Sequence, residues 1–244
     1  MDAMTSRQPA FTMPWQERHS RLTTFFRWLL VIPGALWVSI WSIALIVTVP
    51  IAWFAVLFTG RYPRALYEFH ASFARYLTKV YSYYSLATDT WPGFSGTEDD
   101  GYPVRLVLGP PLTEYSRLKV ALRIFLMIPV LLIAYAMQIV AGIASFIAWF
   151  AIVITAKMPE GIHQMIRLGV SYQQRALPYY MLMTEDWPTF TVDDERPALE
   201  PVPPAPQAPP PPAGGAAPQA VPRESDAPPN LGDFRPPTPP DDAA

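Results

Sequence analysis

Two stretches of this chain limit what it can fold into more than anything else in it. From Trp28 to Thr59 it runs 32 residues without one Asp, Glu, Lys, Arg or His, and from Ile124 to Ala156 it runs 33 more. A helix needs only about 20 such residues to cross roughly 30 Å of hydrocarbon. A pair of buried helices in a soluble domain would need other sequence to cover them on every side, and most of the remaining chain is polar or proline-rich. A signal peptide is a poor reading of the first stretch, because its apolar region would be only about 7–15 residues long. The expectation is an integral membrane protein with apolar segments at 28–58 and 124–155.

The two stretches are copies of one element. Sliding the sequence against itself gives a gapless repeat at an offset of 96 residues from Ser20 to Phe94, with 24 of 75 aligned positions identical. Ser20-Arg21-Leu22 matches Ser116-Arg117-Leu118, Arg27 matches Arg123, and Ile32-Pro33 matches Ile128-Pro129. Ile51-Ala52-Trp53-Phe54-Ala55 recurs as Ile147-Ala148-Trp149-Phe150-Ala151, and Tyr83-Tyr84 recurs as Tyr179-Tyr180. Each unit closes on an acidic-aromatic turn, one holding Trp91-Pro92-Gly93-Phe94 and the other Trp187-Pro188-Thr189-Phe190. Biased composition aligns apolar residues by chance, but not Arg, Trp-Pro and Tyr-Tyr in one frame.

Each unit therefore has one predicted layout. Ser20 or Ser116 caps a helix by accepting from a first-turn N–H. Pro33 or Pro129 kinks that helix, since proline removes a donor and crowds the carbonyl four residues back. Gly60 ends the first apolar segment in a left-handed conformation, whereas Ala156 makes a weaker stop in the second copy. An amphipathic helix follows, over 64–87 and again over 160–182. Arg64, Glu68, Ser72, Arg75, Lys79, Ser82 and Ser85 form its polar stripe in the first copy. Glu160, Gln164, Arg167, Ser171 and Arg175 fill the same columns in the second, where Pro178 interrupts the helix late. Such a helix either lies in the headgroup layer or adds a second span whose stripe faces a protein interior or water.

The fold class expected is thus all-α and membrane-bound. A 1–19 arm leads to repeat 1 (20–96), a 97–115 linker with a short strand at 102–108, repeat 2 (116–192) and a 193–244 tail. The tail is rich in Pro and acidic residues; such a composition cannot bury enough apolar surface to offset backbone ordering, so disorder is expected there, with a protein partner as one use of it. A formal net charge of −2 gives no basic surface able to neutralise many phosphates, which argues against nucleic-acid binding.

Topology hinges on crossings per repeat. One crossing each inverts the repeats and puts Arg61, Arg75, Lys79 and Arg123 outside, against the positive-inside tendency. An even number keeps every basic cluster on one side, but 32 residues are too few for two spans. In both cases the termini share a side, placed as cytoplasmic at a bacterial cell membrane.

Reaction chemistry is not visible. There is no phosphate loop, dinucleotide-binding fingerprint or hydrolase elbow, and no cysteine. His19, His70 and His163 have no second ligand at metal spacing, and His70 and His163, on the amphipathic helices, read as ordinary interfacial histidines. No cofactor is expected. The residues singled out are Arg27, Arg61, Arg75, Lys79, Trp91, Arg123, Lys157, Arg175 and Trp187, as lipid-headgroup or anchor positions, since cations and tryptophans both favour that layer.

The Ser-Arg-Leu, Ile-Pro, Ile-Ala-Trp-Phe-Ala, Thr-Gly-Arg-Tyr-Pro and Trp-Pro-x-Phe elements resemble the bacterial membrane-protein family known as domain of unknown function 4389, common in actinobacteria and often in two copies. The resemblance covers about residues 14–192 and implies no activity, so no catalytic residue comes with it. The functional expectation is a non-enzymatic membrane protein that organises lipid or partners. The rival is a small channel or transporter subunit, in a four-span or homo-oligomeric bundle, with the polar stripes lining a path.

Overall fold

The computed structural model describes residues 9–97 and 101–190. The 193–244 tail, with its expected disorder, lies outside the described residues.

Each repeat is a helical hairpin. In repeat 1 three consecutive helices, α1 (Arg21–Phe25), α2 (Arg27–Leu30) and α3 (Ile32–Thr59), lead into α4 (Arg64–Tyr84). In repeat 2 one helix of 39 residues, α5 (Arg117–Thr155), leads into α6 (Glu160–Tyr180). α4 folds back along α3: Gly34 faces Val80 and Tyr76, Trp41 packs on Phe73, and Thr48 reaches His70. α6 does the same against α5, with Gly169 against Met137 and Ala141, and Gln173 hydrogen-bonded to Gln138 and the Ala134 carbonyl.

The proline pair behaves differently in the two copies. The chain stops and restarts at Val31, so Pro33 falls in the first turn of α3, where no N–H is required. Pro129 instead sits inside the continuous α5. The caps differ too: the Ser20 hydroxyl accepts from the Thr23 N–H, but Ser116 makes no side-chain cap. The weaker stop expected at Ala156 is not weaker. It takes φ 61°, close to the 70° of Gly60, and its N–H closes onto Ile152 as that of Gly60 closes onto Val56. The preceding threonine hydroxyl helps at both ends, accepting from the Arg61 N–H and from the Lys157 N–H. Pro178 does not interrupt α6, which continues to Tyr180.

The 97–115 linker is more than a tether. Its strand β2 (Arg105–Val107) pairs antiparallel with β1 (Ala10–Thr12) of the N-terminal arm, Phe11 opposite Leu106. This two-stranded ribbon lies on α4 and α6, where Phe11 and Met13 meet Ile162 and Ile166, and the Tyr67 hydroxyl donates to the Gly109 carbonyl. The protein is thus layered, with ribbon, then α4 and α6, then α3 and α5.

A pseudo-two-fold axis runs through these layers. The Trp53 indole N–H donates to the Val120 carbonyl (3.0 Å) and the Trp149 indole N–H to Thr24 (3.1 Å), each pair being the other shifted by 96 positions and exchanged. Tyr115 to Gly60 and His19 to Ala156 form a second such pair of backbone bonds. Thr78 and Gln174, equivalent positions, hydrogen-bond to each other at 2.7 Å where α4 crosses α6. The ribbon obeys the same exchange: Ala10 pairs with Val107 and Phe11 with Leu106. The duplication therefore reaches back to residue 10 in space, beyond the Ser20 at which it fades from the sequence.

Candidate functional site

The positions kept in both copies assemble into two equivalent clamps. Arg27 lies at the start of α2, with its guanidinium 4.3 Å over the Tyr83 ring and donating to the carbonyls of Tyr83 (2.6 Å) and Thr88 (2.7 Å). It also pairs with Asp89, whose other oxygen accepts the Ser20 N–H at 2.7 Å. Tyr83 packs edge-on against Trp91 at 5.5 Å. In the second copy Arg123 sits 3.9 Å over Tyr179 and donates to the Thr184 carbonyl, while Tyr179 packs on Trp187. Glu185 accepts the Ser116 N–H there, but its ion pair is with Lys119 at 3.1 Å. Each clamp ties the C-terminus of a hairpin to its N-terminus. A buried cation is tolerable because carbonyls, a carboxylate or an aromatic face replace its water.

Four of the nine candidate positions are therefore inside the protein. Arg27, Arg123, Lys79 and Arg175 are each 4% exposed or less. Lys79 donates to the Ser95 carbonyl and Arg175 to Thr189, so these cations pin the closing turns onto α4 and α6. A lipid phosphate would reach any of the four only by opening those contacts. Arg61 and Lys157 are exposed at the two hairpin turns, Lys157 pairing with Glu17. Arg75 is half-buried, and Trp91 and Trp187 remain partly exposed at the clamp rims. The structure brings Arg27 together with Trp91, and Arg123 with Trp187. It does not join all nine into one site.

Sequence reasoning missed the carboxylates and tyrosines of the clamps. Tyr83/Tyr179 and Asp89/Glu185 were visible as repeat-conserved features, and that is the signal that could have found them. Their arginine partner lies some 60 residues away in sequence.

The histidines are buried rather than interfacial. In repeat 1 a chain of groups runs from the Thr48 hydroxyl to His70 Nε2 (2.9 Å), from His70 Nδ1 to the Tyr62 oxygen (2.5 Å) and on to the Met181 carbonyl (3.0 Å). Repeat 2 replaces all three members with Ala144, Met158 and Ile166. His19 and His163 occupy the positions equivalent to Tyr115 and Tyr67. Burial pushes the His163 imidazole down to about 4, the nearby Arg167 charge acting the same way, and burial likewise lowers His19 against the pull of Asp89. Among the described residues no group of three or more His, Asp or Glu is placed to hold a metal ion.

Most of the exposed large apolar side chains lie on α1–α3 and α5. Only 11% of the most apolar stretch of residues 27–59 and 17% of that of α5 is buried, and both are long and apolar enough to cross a membrane. Ile40, Ile43, Phe54, Phe58, Leu132 and Phe146 are among the side chains left uncovered. By contrast eleven of the 21 residues in each of α4 and α6 are buried.

The family model for a domain of unknown function (DUF4389) matches residues 21–95 and again 117–191. The chain belongs to this family. Its two matches coincide with the two hairpins and carry one clamp each, so the clamp lies within the family's own unit. No curated protein and no solved structure matches the chain.

Proposed function

We propose that this family member is a non-enzymatic membrane protein that beds its α3 and α5 face in one leaflet, keeps the ribbon layer in water, and organises lipid or a protein partner at the cytoplasmic face of a bacterial membrane. The observation that carries this reading is the layering. Exposed apolar side chains crowd α1–α3 and α5, while the opposite layer is ribbon and irregular chain around Pro14 and Gly109-Pro110-Pro111. Irregular backbone facing lipid leaves polar groups unsatisfied at several kcal/mol each, so that layer belongs in water.

Length points the same way. α5 is about 58 Å long at 1.5 Å per residue, far more than the roughly 30 Å of hydrocarbon needed for an upright crossing. With the pseudo-two-fold axis along the membrane normal, exposed Arg21 and Arg61 at the ends of one repeat and Arg117 and Lys157 at those of the other meet the same headgroup layer. Each contributes on the order of 1 kcal/mol near an anionic surface. The conflict between inverted repeats and positive-inside charge disappears in that arrangement. The channel or transporter reading is less favoured because Lys79 and Arg175, the central cations of the polar stripes, are tied to turn carbonyls rather than lining an open path.

The test uses the chain's lack of cysteine. Arg61 and Lys157 stand at opposite ends of the antiparallel long helices. We expect Arg61→Cys and Lys157→Cys both to react with a membrane-impermeant maleimide only after the cells are opened. Labelling of one from outside and the other from inside would overturn the flat arrangement in favour of an upright, spanning bundle.

A further inference from the structure

A cavity of about 300 Å³ opens on the apolar face where the end of repeat 1 meets α5, walled by Arg27, Trp28, Tyr84, Gly142, Phe146 and Trp149. Its size lies at the small end of ligand pockets, and Trp28 and Phe146 at its edge are more than 60% exposed. The duplication shows how the space is made. Gly142, Ser145 and Phe146 stand where the first copy has Ile46, Val49 and Pro50, so the floor of the cavity lacks branched side chains that the equivalent place possesses. A Cβ built on Gly142 meets nothing within 4 Å.

Arg27, one of the wall residues, has an unused donor. The Arg27 Nε is buried and has no hydrogen-bond partner, although the other guanidinium nitrogens are engaged by the clamp. A buried donor left without an acceptor costs about 1–3 kcal/mol, which a ligand oxygen can recover. The Asp89 carboxylate already balances the arginine charge, so the group that fits is a neutral acceptor rather than a second anion. Arg123 Nε is also without a partner, but the equivalent place beside it, on α3 of repeat 1, carries Ile46 and Val49. The two copies thus share the donor and differ in the space beside it.

We propose that this cavity holds one acyl chain of a membrane glycerolipid, with the ester carbonyl oxygen accepting from Arg27 Nε. The proposal rests on the apolar face lying in lipid, and makes one point on that face a binding site where the rest is only solvated by chains.

The full-length protein in nanodiscs of phosphatidylethanolamine and phosphatidylglycerol, doped with a phospholipid bearing a diazirine on one acyl chain, tests it. Photolysis followed by peptide mapping should give adducts on the 142–149 segment in clear excess over the equivalent 46–53 segment. Gly142→Ile, which installs the residue of the first copy, should lower that adduct by about tenfold, the 1.4 kcal/mol step of a lost well-fitted site, and leave labelling elsewhere on α3 and α5 unchanged. A diazirine fatty acid, whose carboxylate faces the charge-balanced arginine, should label the segment less well than the phospholipid. Equal labelling of 142–149 and 46–53, or an unchanged adduct in Gly142→Ile, would sink the site while sparing the membrane reading. Absence of adducts anywhere on α3 and α5 would sink both. Arg27→Lys, which keeps the charge and removes Nε, provides a second readout: the phospholipid preference over the fatty acid should disappear, and its persistence would overturn the role given to Arg27.

Discussion

The two hairpins reach the same outline with opposite packing. Repeat 1 seats α4 on α3 through large rings, Trp41 touching Phe69, Phe73 and Tyr76 within 6 Å. Repeat 2 seats α6 on α5 through small residues: Ala134, Ala141, Ala144 and Ala148 are buried on α5, and Gly169 and Ala176 on α6. Position 169 is glycine where repeat 1 has Phe73. Small residues let helix backbones approach, whereas aromatic pairs hold them apart and recover the contact through ring packing. The difference teaches that the family outline is held at the hairpin ends, by the clamps and the crossed tryptophan bonds, while the middle is free to change.

That comparison breaks first at Gly169. A Cβ there would lie 2.5 Å from the Met137 carbonyl oxygen and 2.7 Å from the Ala141 Cβ, and neither can move without moving α5. Gly169→Leu should therefore cost upward of about 3 kcal/mol in unfolding measured in detergent. An effect below 1 kcal/mol would mean that repeat 2 is not close-packed.

The clamps sharpen it next. Arg27 holds two carbonyls and a carboxylate, but Arg123 only one carbonyl, with Glu185 given over to Lys119. Arg27→Met should cost about 3 kcal/mol, since it strands a half-buried carboxylate. Arg123→Met should cost about 1 kcal/mol, the worth of one such hydrogen bond. Equal losses in the two variants would show that the clamps are energetically alike despite their different partners.

The smallest effect is expected from making the middles alike. His70→Ile alone leaves Thr48 and Tyr62 facing an apolar group and should cost about 2 kcal/mol. Adding Thr48→Ala and Tyr62→Met installs the complete apolar set of repeat 2, and the triple variant should recover more than half of that loss, because a buried network is harmful chiefly when half-satisfied. Thermal unfolding of the single and triple variants side by side reads the difference. A triple variant worse than the single one would make the polar chain a requirement of repeat 1.

Much of this architecture was legible beforehand. The 96-residue offset located both hairpins, and the charge-free runs identified the helices that stay exposed. The spacing of Arg75, Lys79 and their equivalents found the right stripe, but not what lies over it. Periodicity ranks the faces of a helix and cannot say which neighbour covers them; here the closing turns and the ribbon do, so Lys79 and Arg175 ended on carbonyls. The Ala156 stop was underrated because propensity weighs the residue alone, whereas the Thr155 hydroxyl and the contacts of Met158 with Glu17 hold that turn from outside.

By itself the sequence determined that this chain has two copies of one unit, each a long charge-free apolar segment followed by an amphipathic helix, because period and composition are local properties that survive in a linear string. Only the tertiary structure decided that the copies are related by a two-fold exchange, that β1 and β2 close over the amphipathic helices, and that Arg27 and Arg123 face inward. Those are pairings between residues some 60 to 130 positions apart, and their free energy exists only once both partners are brought together and stripped of water.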